Sequence, residues 1–340
     1  MNQATLPDWP RAFGGPIATG TLRQLPEDFR VVEQLAFEPS GEGEHVFLQV
    51  QKISENTEYI ARQIARFAGV RQRDIGYAGL KDRHAITSQW FSVWLPGKID
   101  PDWSELESEQ LKILHVVRHA RKLKRGVLAA NHFSLRIKEL QGDFEQIEAQ
   151  LNLIKRYGVP NYFGGQRFGN AGQNLQKAIE LFQGVKFKHE QRSIYLSAAR
   201  AYLFNLILAE RVRLRLWQQG MAGDCFMFDA SKAFFKTVLL DDEIKQRLDS
   251  GMIHPTGPLW GLGEDSVSEA ALKFESELLN DYSEWRLGLE REQLTMARRA
   301  LRVMVRDLEW RWLTQTTLEL SFSLPPGSFA TAVVREMIET

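Results

Sequence analysis

Hydrophobic and polar positions alternate in short runs along the first part of the chain. The alternation is clear over residues 45–52 and 131–138, and Phe29–Glu33 forms another short extended run. A period of two places successive side chains on opposite faces, which predicts β-strands. Between these runs, a stripe at helical spacing begins after Asn56, a favourable N-cap residue, and ends at Gly69. The pattern predicts a β-rich sheet with helical excursions.

The pattern changes near residue 155, where a connector rich in glycine and aromatic residues precedes a series of helical stripes. Helical spacing is clear over residues 175–182, 193–213 and 266–304. Strand alternation returns over residues 318–324, and a final helix is predicted from Ser328. The carboxyl-terminal segment therefore has the same strand pattern as the first part of the chain.

These elements predict an α+β protein, and a length of 340 residues favours about two domains. Residues 1–155 and 304–340 are expected to form one discontinuous domain built on a sheet. Residues 156–303 are expected to form a mainly helical α/β insertion domain.

The composition excludes few partners. The 43 basic and 43 acidic residues give a formal net charge of zero, but phosphate binding depends on local clusters rather than on the sum. The single cysteine, Cys225, excludes an intrachain disulfide and a cysteine-based metal cluster. No apolar run approaches the roughly 18 residues of a membrane span, and Met1–Ala4 lacks the pattern of a signal peptide. We therefore expect a cytoplasmic protein with no membrane partner.

The most informative segment is a short polar loop that carries Asp82. Gly76 and Gly79 precede the loop and permit the close approach of another backbone or of a flat ligand. A clean alternating strand over residues 90–95 follows and anchors the loop in the sheet. A carboxylate held in this way can act as a nucleophile, whereas the simpler alternative is a turn aspartate bonded to its own backbone.

The neighbours of Asp82 favour the chemical interpretation. Lys81, Arg83 and His84 supply positive charge, which would keep a carboxylate ionised in a partly dry pocket. His84 also suggests an acid/base pair with Asp82, although only the loop geometry decides whether the two side chains meet.

A basic cluster follows further along the chain. It contains Arg118, Arg121, Lys122, Lys124 and Arg125. In a neutral protein such clustering favours a clamp on a phosphate backbone, and the alternative is a solvated surface. Arg298, Arg299, Arg302 and Arg306 stand at helical spacings and suggest a second, weaker basic ridge.

Three phenylalanines and one asparagine are candidates for base recognition. Phe29, Phe133 and Phe329 stand beside polar residues at the starts of strands or turns, and Asn131 supplies an amide that can bond a uracil edge. Core packing is the alternative for each phenylalanine. The chain has no complete dinucleotide or phosphate-loop fingerprint, no Gly-x-Ser-x-Gly elbow and no His-Glu-x-x-His motif, so metal catalysis and serine hydrolysis have little support.

Six motifs occur in order along the chain and can be considered together. They are Pro26–Phe29, Gly79–Gln89, Asn131–Phe133, Pro160–Gly169, Pro255–Gly261 and Leu324–Thr331. With these motifs the chain closely resembles the TruD family of tRNA pseudouridine synthases over residues 20–335. The resemblance implies a mixed or antiparallel catalytic sheet of the pseudouridine-synthase type that carries the family's insertion domain. It also implies isomerisation of uridine 13 in certain tRNAs without a cofactor.

The resemblance also implies roles for individual residues. Asp82 matches the catalytic aspartate of the family. The positions that contact the substrate match Phe29, Asn131 and Phe329, and Phe133 fits the aromatic residue that stacks on the target base. Arg23 is the candidate for the basic partner of Asp82, at a position where the family can also have lysine.

Three functions follow from these observations. The leading one is a tRNA pseudouridine synthase that acts as a monomer on tRNA, with no metal and no obligatory protein partner. The second is a non-catalytic RNA-binding protein on the same scaffold, which the basic clusters suggest. The third is a small-molecule hydrolase that uses Asp82 and His84.

Overall fold

The computed structural model describes residues 6–339 of the chain, so the amino-terminal residues Met1–Ala4 lie outside the described part. The first strands and helix form in this order: β1 Ala18–Leu22, β2 Phe29–Leu35, β3 His45–Ile53, α1 Thr57–Phe67, β4 Ile75–Tyr77, β5 Ile86–Trp94, β6 Leu111–His119 and β7 Leu128–Gly142. The runs over 29–33, 45–52 and 131–138 are therefore confirmed as strands, and α1 begins directly after Asn56 as predicted.

The middle of the chain contains α2 Phe144–Tyr157, β8 Val159–Pro160, α3 Gln173–Phe182, α4 His189–Arg213, β9 Cys225–Phe228, β10 Phe234–Lys236, α5 Asp242–Asp249, β11 Ile253–Leu259, α6 Glu269–Leu278, α7 Ser283–Arg291, β12 Ala297–Ala300 and β13 Arg302–Val303. It is followed by β14 Arg306–Thr314, β15 Thr317–Leu324, α8 Ala330–Val334 and β16 Ile338–Glu339. The structure is therefore α+β, as the pattern predicted.

The chain forms two compact units. The first, which we call the sheet unit, comprises Ala18–Gly142 and Arg306–Gly327. The second, which we call the helical unit, comprises residues 6–17, Asp143–Val305 and Ser328–Glu339. The division into a catalytic domain and an insertion domain assigns functions to parts of the chain, and it stays a prediction.

The sheet unit is built on one mixed sheet with the strand order β14-β15-β7-β2-β5-β3-β6, to which β1 adds on β7 and β4 on β5. Strands β2 and β5 are parallel, and the other pairs along this path are antiparallel. Helix α1 packs its buried residues, including Ile60 and Ile64, against Val46, Leu48 and Phe91 of the sheet. Burial of these apolar side chains is the main source of stability in the unit.

The helical unit has its core around α3 and α4, whose apolar stripes were both predicted correctly. It also contains a four-stranded sheet in the order β10-β9-β11-β12, which the hydrophobic pattern did not predict. The central strand β11 contains Pro255, Gly257 and Pro258, residues that are depleted in strands and therefore hide the strand in the sequence.

The helical pattern predicted over residues 266–304 was wrong at its end. Helix α7 stops at Arg291, and Arg298 lies on strand β12 with its guanidinium bonded to the buried carboxylate of Glu275 at 2.8 and 2.6 Å. Arg302 is also buried and donates to His254 Nδ1 at 3.0 Å. Pairing of the strands outweighs the local periodicity here. The prediction of a second basic ridge was therefore wrong, because the side chains of Arg298 and Arg302 are buried.

Of the helices within residues 6–339, none combines the length and hydropathy that a membrane span requires. The final helix was predicted to run from Ser328 to Ile338, whereas α8 spans only Ala330–Val334.

Candidate active site

The loop between β4 and β5 carries Asp82, and hydrogen bonds from buried side chains fix its backbone. Thr57 Oγ1, at the start of α1, accepts from Lys81 N at 3.0 Å and donates to Gln89 Oε1 at 2.9 Å. Gln89 Nε2 in turn donates to Gly79 O at 2.5 Å. The residues on both sides of Leu80 are therefore held, and Asp82 follows directly on a fixed backbone.

Of the two glycines before the loop, only Gly76 permits the close approach of another part of the backbone. A Cβ atom on Gly76 would lie 2.5 Å from Leu123 O and 2.5 Å from Ser92 Oγ, so only glycine permits this close approach of backbone. Gly79 faces open space instead. The close approach predicted for glycine at this loop is confirmed at Gly76.

A buried ion pair holds the lysine that precedes Asp82. Lys81 Nζ lies 2.7 Å from Glu33 Oε1, and the Glu33 side chain is fully buried. The other carboxylate oxygen of Glu33 accepts from Trp90 N at 2.8 Å. Burial raises the pKa of Glu33, and Lys81 opposes this rise. Breaking such a pair leaves an uncompensated buried charge, so the pair strongly resists movement of the loop.

Asp82 and Arg23 form an ion pair at the surface of the sheet unit. Arg23 Nη2 lies 3.0 Å from Asp82 Oδ2, and the two side chains remain 22% and 20% exposed, so both can be reached by a ligand. Arg23 has a φ of +67°, a left-handed conformation that is costly for a side chain other than glycine. Burial lowers the pKa of Arg23, and the charge of Asp82 raises it. The ion pair therefore favours the charged form of the Arg23 guanidinium against the effect of its burial.

The turn that carries Arg23 is fixed by a residue that the sequence analysis did not single out for a role. Asp28 is buried, accepts from Leu25 N at 2.9 Å and pairs with Lys138 Nζ at 2.8 Å. Its place in the Pro26–Phe29 motif was the available signal. Asp28 thus ties the end of the turn to strand β7.

Lys52 is a second residue near Asp82 that the sequence analysis did not identify. Its side chain is fully buried, and Nζ donates to Asp82 O at 3.0 Å and to Glu55 O at 2.6 Å. Burial lowers the pKa of Lys52 to about 8. The signal was present in the alternation of β3, because Lys52 stands two residues after Val50 and shares its buried face.

One face of the sheet joins most of the candidate base-recognition residues. The register pairs Val31 with Phe133 and Glu33 with Asn131, so Phe29, Phe133 and Asn131 lie on the same face. The Phe133 ring stacks on Phe322 at 5.5 Å between centroids, and Phe29 meets Phe133 edge-on at 6.2 Å.

These residues are all buried, but they differ in whether the structure leaves a hydrogen-bonding group without a partner. Phe29 and Phe133 are only 3% and 7% exposed, so each contributes to the core, as the simpler alternative stated. Asn131 is buried too, and its Oδ1 has no hydrogen-bond partner within residues 6–339. A buried unpaired carbonyl costs free energy, which makes it a ready acceptor for a ligand donor.

Phe329 belongs to the helical unit, in which its ring packs edge-on against Phe163 at 6.2 Å between centroids. The Cβ of a residue replacing Gly164 would lie 3.7 Å from the same ring. The other candidates, Arg23, Phe29, Asp82, Asn131 and Phe133, all belong to the sheet unit.

Some residues of the predicted phosphate clamp form hydrogen bonds within the fold, whereas others are exposed. Arg118 donates to Leu95 O at 3.1 Å and to Lys98 O at 2.8 Å and also pairs with Asp100, so its guanidinium serves the fold. Lys122 Nζ donates to Arg73 O at 2.5 Å. The remaining side chains of the cluster are exposed, namely those of Arg121, Lys124 and Arg125.

This arrangement can hold an ionised carboxylate next to an aromatic and amide-bearing face. A carboxylate with a charged arginine can act as a nucleophile or as a base toward a ligand that approaches the loop. His84 is exposed beside it. Within residues 6–339, the acidic, histidine and cysteine side chains form no group of three or more that could hold a metal ion.

Comparison with known proteins gives concordant results. A family model described as tRNA pseudouridine synthase D (TruD) matches residues 12–180 and 170–337. A tRNA pseudouridine synthase D from Methylococcus capsulatus is 52% identical and covers 98% of this chain and 94% of its own. The protein of that name from Nitrosococcus oceani is 49% identical and covers 97% and 94%.

A solved structure supports the fold. The crystal structure of a protein described as a putative TruD from Methanosarcina mazei superimposes with a TM-score of 0.68. It covers 98% of this chain and 95% of that chain at 22% sequence identity, so the two share a fold.

Proposed function

The chain belongs to the tRNA pseudouridine synthase D (TruD) family, and on that premise we propose that it isomerises uridine to pseudouridine at position 13 of tRNA. Asp82 is the catalytic carboxylate in this proposal, and Arg23 is its basic partner. In this proposal Asp82 acts without a cofactor, as the resemblance to the family implies.

The observation that carries the proposal is the ion pair of Arg23 and Asp82. Its 3.0 Å separation, partial exposure and position on a fixed loop suit a carboxylate that must stay charged while it meets a ligand. A carboxylate that merely closed a turn would not need a charged arginine held in a strained backbone conformation.

The chemistry accounts for the surrounding residue types. The target uridine leaves the stack, which costs a few kcal/mol and is partly offset by aromatic contacts such as those of Phe133. Asp82 then assists cleavage of the C1′–N1 bond, either by attack at C1′ or by removal of a sugar proton. The freed uracil rotates, and C5 bonds to C1′. In the first route this bond displaces Asp82 from C1′, and in the second Asp82 returns the proton to the sugar. C5 then loses its proton, and N1 gains one. Asn131 Oδ1 can accept from the base edge during this rotation.

The two predicted domains and the basic cluster have different roles in this proposal. The discontinuous domain of residues 1–155 and 304–340 carries the reaction, and the insertion domain of residues 156–303 and Phe329 contribute to substrate binding. The exposed members of the basic cluster contact the RNA backbone. We propose a cytoplasmic monomer that acts on tRNA without an obligatory protein partner.

The test is incubation of the purified protein with unmodified tRNA, followed by carbodiimide treatment and primer extension to locate pseudouridine. We expect one stop at position 13 for the wild type and none for Asp82→Asn. Asp265→Asn, an exposed aspartate in the helical unit, is the matched control and keeps full activity. No product from the wild type, or full product from Asp82→Asn, would refute the proposal.

A non-catalytic RNA-binding function is the second candidate, because Arg121, Lys124 and Arg125 remain exposed. Under that hypothesis Asp82→Asn leaves the biological effect intact, whereas reversal of the exposed basic charges abolishes it. The same tRNA assay separates the two functions. Hydrolysis of a small molecule in the absence of RNA, if it is lost in the His84→Ala variant, would instead indicate the small-molecule hydrolase.

A further inference from the structure

Lys52 lies at a point of the sheet unit where a charged side chain is costly. It is the penultimate residue of β3, its register partner on β5 is Thr87, and its side chain is fully buried. Lysine is rarely buried to this degree unless it is paired, because its ammonium loses its hydration. A specific function is therefore needed to explain why an apolar residue does not occupy this position.

The ammonium is compensated mainly by main-chain oxygens. Its two hydrogen-bond acceptors are Asp82 O at 3.0 Å and Glu55 O at 2.6 Å. The first belongs to the catalytic loop, and the second lies just after the end of β3. The buried charge thus joins the loop to the frame of the sheet by two charge-assisted hydrogen bonds, which are stronger than those between neutral groups.

Four further charged groups face Lys52. The carboxylates of Asp82, Glu55 and Glu33 favour its charged form, and Lys81 opposes it. Burial outweighs them and lowers the pKa of Lys52 to about 8. The side chain is therefore charged at neutral pH and loses its proton within the range in which an enzyme can be assayed.

We propose that Lys52 is a positioning residue for the reaction, which fixes the main chain of Asp82 while Arg23 fixes its carboxylate. This inference rests on the proposed catalytic function of Asp82. The two cations divide the task, since Arg23 is partly exposed at the ligand side and Lys52 is internal. The neutral amine binds the two carbonyls more weakly, so loss of the proton loosens the loop.

A lysine that only stabilised the fold would behave differently. Its substitution would lower thermal stability, but the remaining folded enzyme would turn over at the normal rate and with the normal pH profile. A positioning residue instead affects the turnover of folded enzyme, because a misplacement of about 1 Å at a reacting group can cost about 10²-fold in rate.

The experiment compares the wild type with Lys52→Met, Lys52→Arg and the control Lys112→Met, a substitution of an exposed lysine on β6. Single-turnover rates at saturating tRNA are measured between pH 6 and 9, together with the Kd for tRNA and the thermal midpoint of each variant. We expect Lys52→Met to bind tRNA within twofold of the wild type and to react about 10²-fold more slowly at neutral pH.

The pH profile gives the second result. The wild-type and Lys112→Met rates should fall as the pH rises through about 8, since Lys52 loses its proton there. Lys52→Arg keeps its charge over this range, so its rate should show no such fall. The inference would be overturned if the rate fell equally at alkaline pH in the wild type and in Lys52→Arg. A normal rate in folded Lys52→Met would overturn it as well.

Direct titration covers the case in which the variants fail to fold. The ¹⁵N resonance of the Lys52 ammonium in the wild type should titrate with the same midpoint as the loss of rate, and a constant shift through pH 9 alongside a falling rate would overturn the inference. Failure of the proposed function is distinguishable, because the wild type would then make no pseudouridine. If Asp82→Asn alone is inactive and Lys52→Met is normal, only the inference about Lys52 fails.

Discussion

The guanidinium carbon of Arg23 lies 3.9 Å from the centroid of the Phe29 ring. The same guanidinium contacts Asp82, so the ring supports the cation on one side while the carboxylate binds it in another direction. Cation–π contacts of this kind contribute about 0.5–1 kcal/mol at exposed sites and more when desolvated. Phe29 therefore has a role besides core packing, because its ring contacts the guanidinium that pairs with Asp82, the proposed catalytic residue.

The first prediction concerns the charge at Arg23. Arg23→Met removes the cation beside Asp82 and should lower the single-turnover rate by about 10²–10³-fold, the usual cost of losing one charge-stabilising group. Arg23→Lys restores a point charge but not the planar contact with Phe29, so it should stay within about tenfold of the wild type. Rates on unmodified tRNA measure both effects.

Arg62→Met is the matched control, since Arg62 is an exposed residue of α1, and it should react at the wild-type rate. An Arg23→Met enzyme as fast as this control would show that the ion pair has no part in catalysis.

Much of the sheet unit was predictable, because strands such as β2 and β7 bury one face and leave the other accessible to solvent. Alternation located β2, β3, β7 and β15, and glycines with a central carboxylate located the loop of Asp82. These features depend on neighbours in sequence, which a single chain displays directly.

The positions that escaped prediction depend on contacts distant in sequence. Lys52 resembled an ordinary polar end of a strand, and one of its two acceptors, Asp82 O, lies 30 positions further along the chain. Arg118 belonged to an obvious basic cluster, yet the carbonyls of Leu95 and Lys98 occupy its guanidinium. A sequence displays charges, but tertiary structure decides which of them remain available.

The second prediction uses the unpaired oxygen of Asn131. Because Oδ1 bonds no other group within residues 6–339, Asn131→Ala should change the free energy of unfolding by no more than about 1 kcal/mol. If the oxygen accepts from the target base, the rate at saturating tRNA should fall at least about tenfold, the value of one hydrogen bond of about 1.4 kcal/mol. Urea unfolding and single-turnover assays give the two quantities. A variant that loses stability but keeps its rate would assign Asn131 to the fold alone.

The third prediction separates the basic cluster into two groups. Lys124→Gln and Arg125→Gln should weaken tRNA binding, and each lost phosphate contact should reduce the slope of log Kd against log salt by about 0.7–0.9. Arg118→Gln should instead lower thermal stability, because it removes bonds to Leu95 O and Lys98 O. Filter binding at several salt concentrations tests the first group, and thermal unfolding tests Arg118. Unchanged salt slopes in both variants of the first group would place the RNA footprint elsewhere.

The last prediction concerns stability of the helical unit and its dependence on pH. The Glu336 side chain is fully buried, and its Oε2 accepts from Ala12 N at 2.7 Å. Burial raises the pKa of Glu336 to about 7, although the guanidinium of Arg335 opposes the rise. The folded protein therefore holds a proton on Glu336 between about pH 4.5 and pH 7 that the unfolded chain has released. Stability from this group is fully present below the unfolded pKa and is lost as the pH rises through 7.

Glu336→Gln keeps an acceptor for Ala12 N but carries no charge at any pH. The free energy of unfolding of the variant relative to the wild type should therefore increase between pH 5 and pH 8, by up to about 3 kcal/mol for a shift of this size. Urea unfolding followed at pH 5, 6, 7 and 8 measures the difference. Glu284→Gln, at an exposed position of α7, is the control and should give a difference that stays constant with pH. A constant difference for Glu336→Gln as well would mean that Glu336 is charged in the folded protein throughout this range.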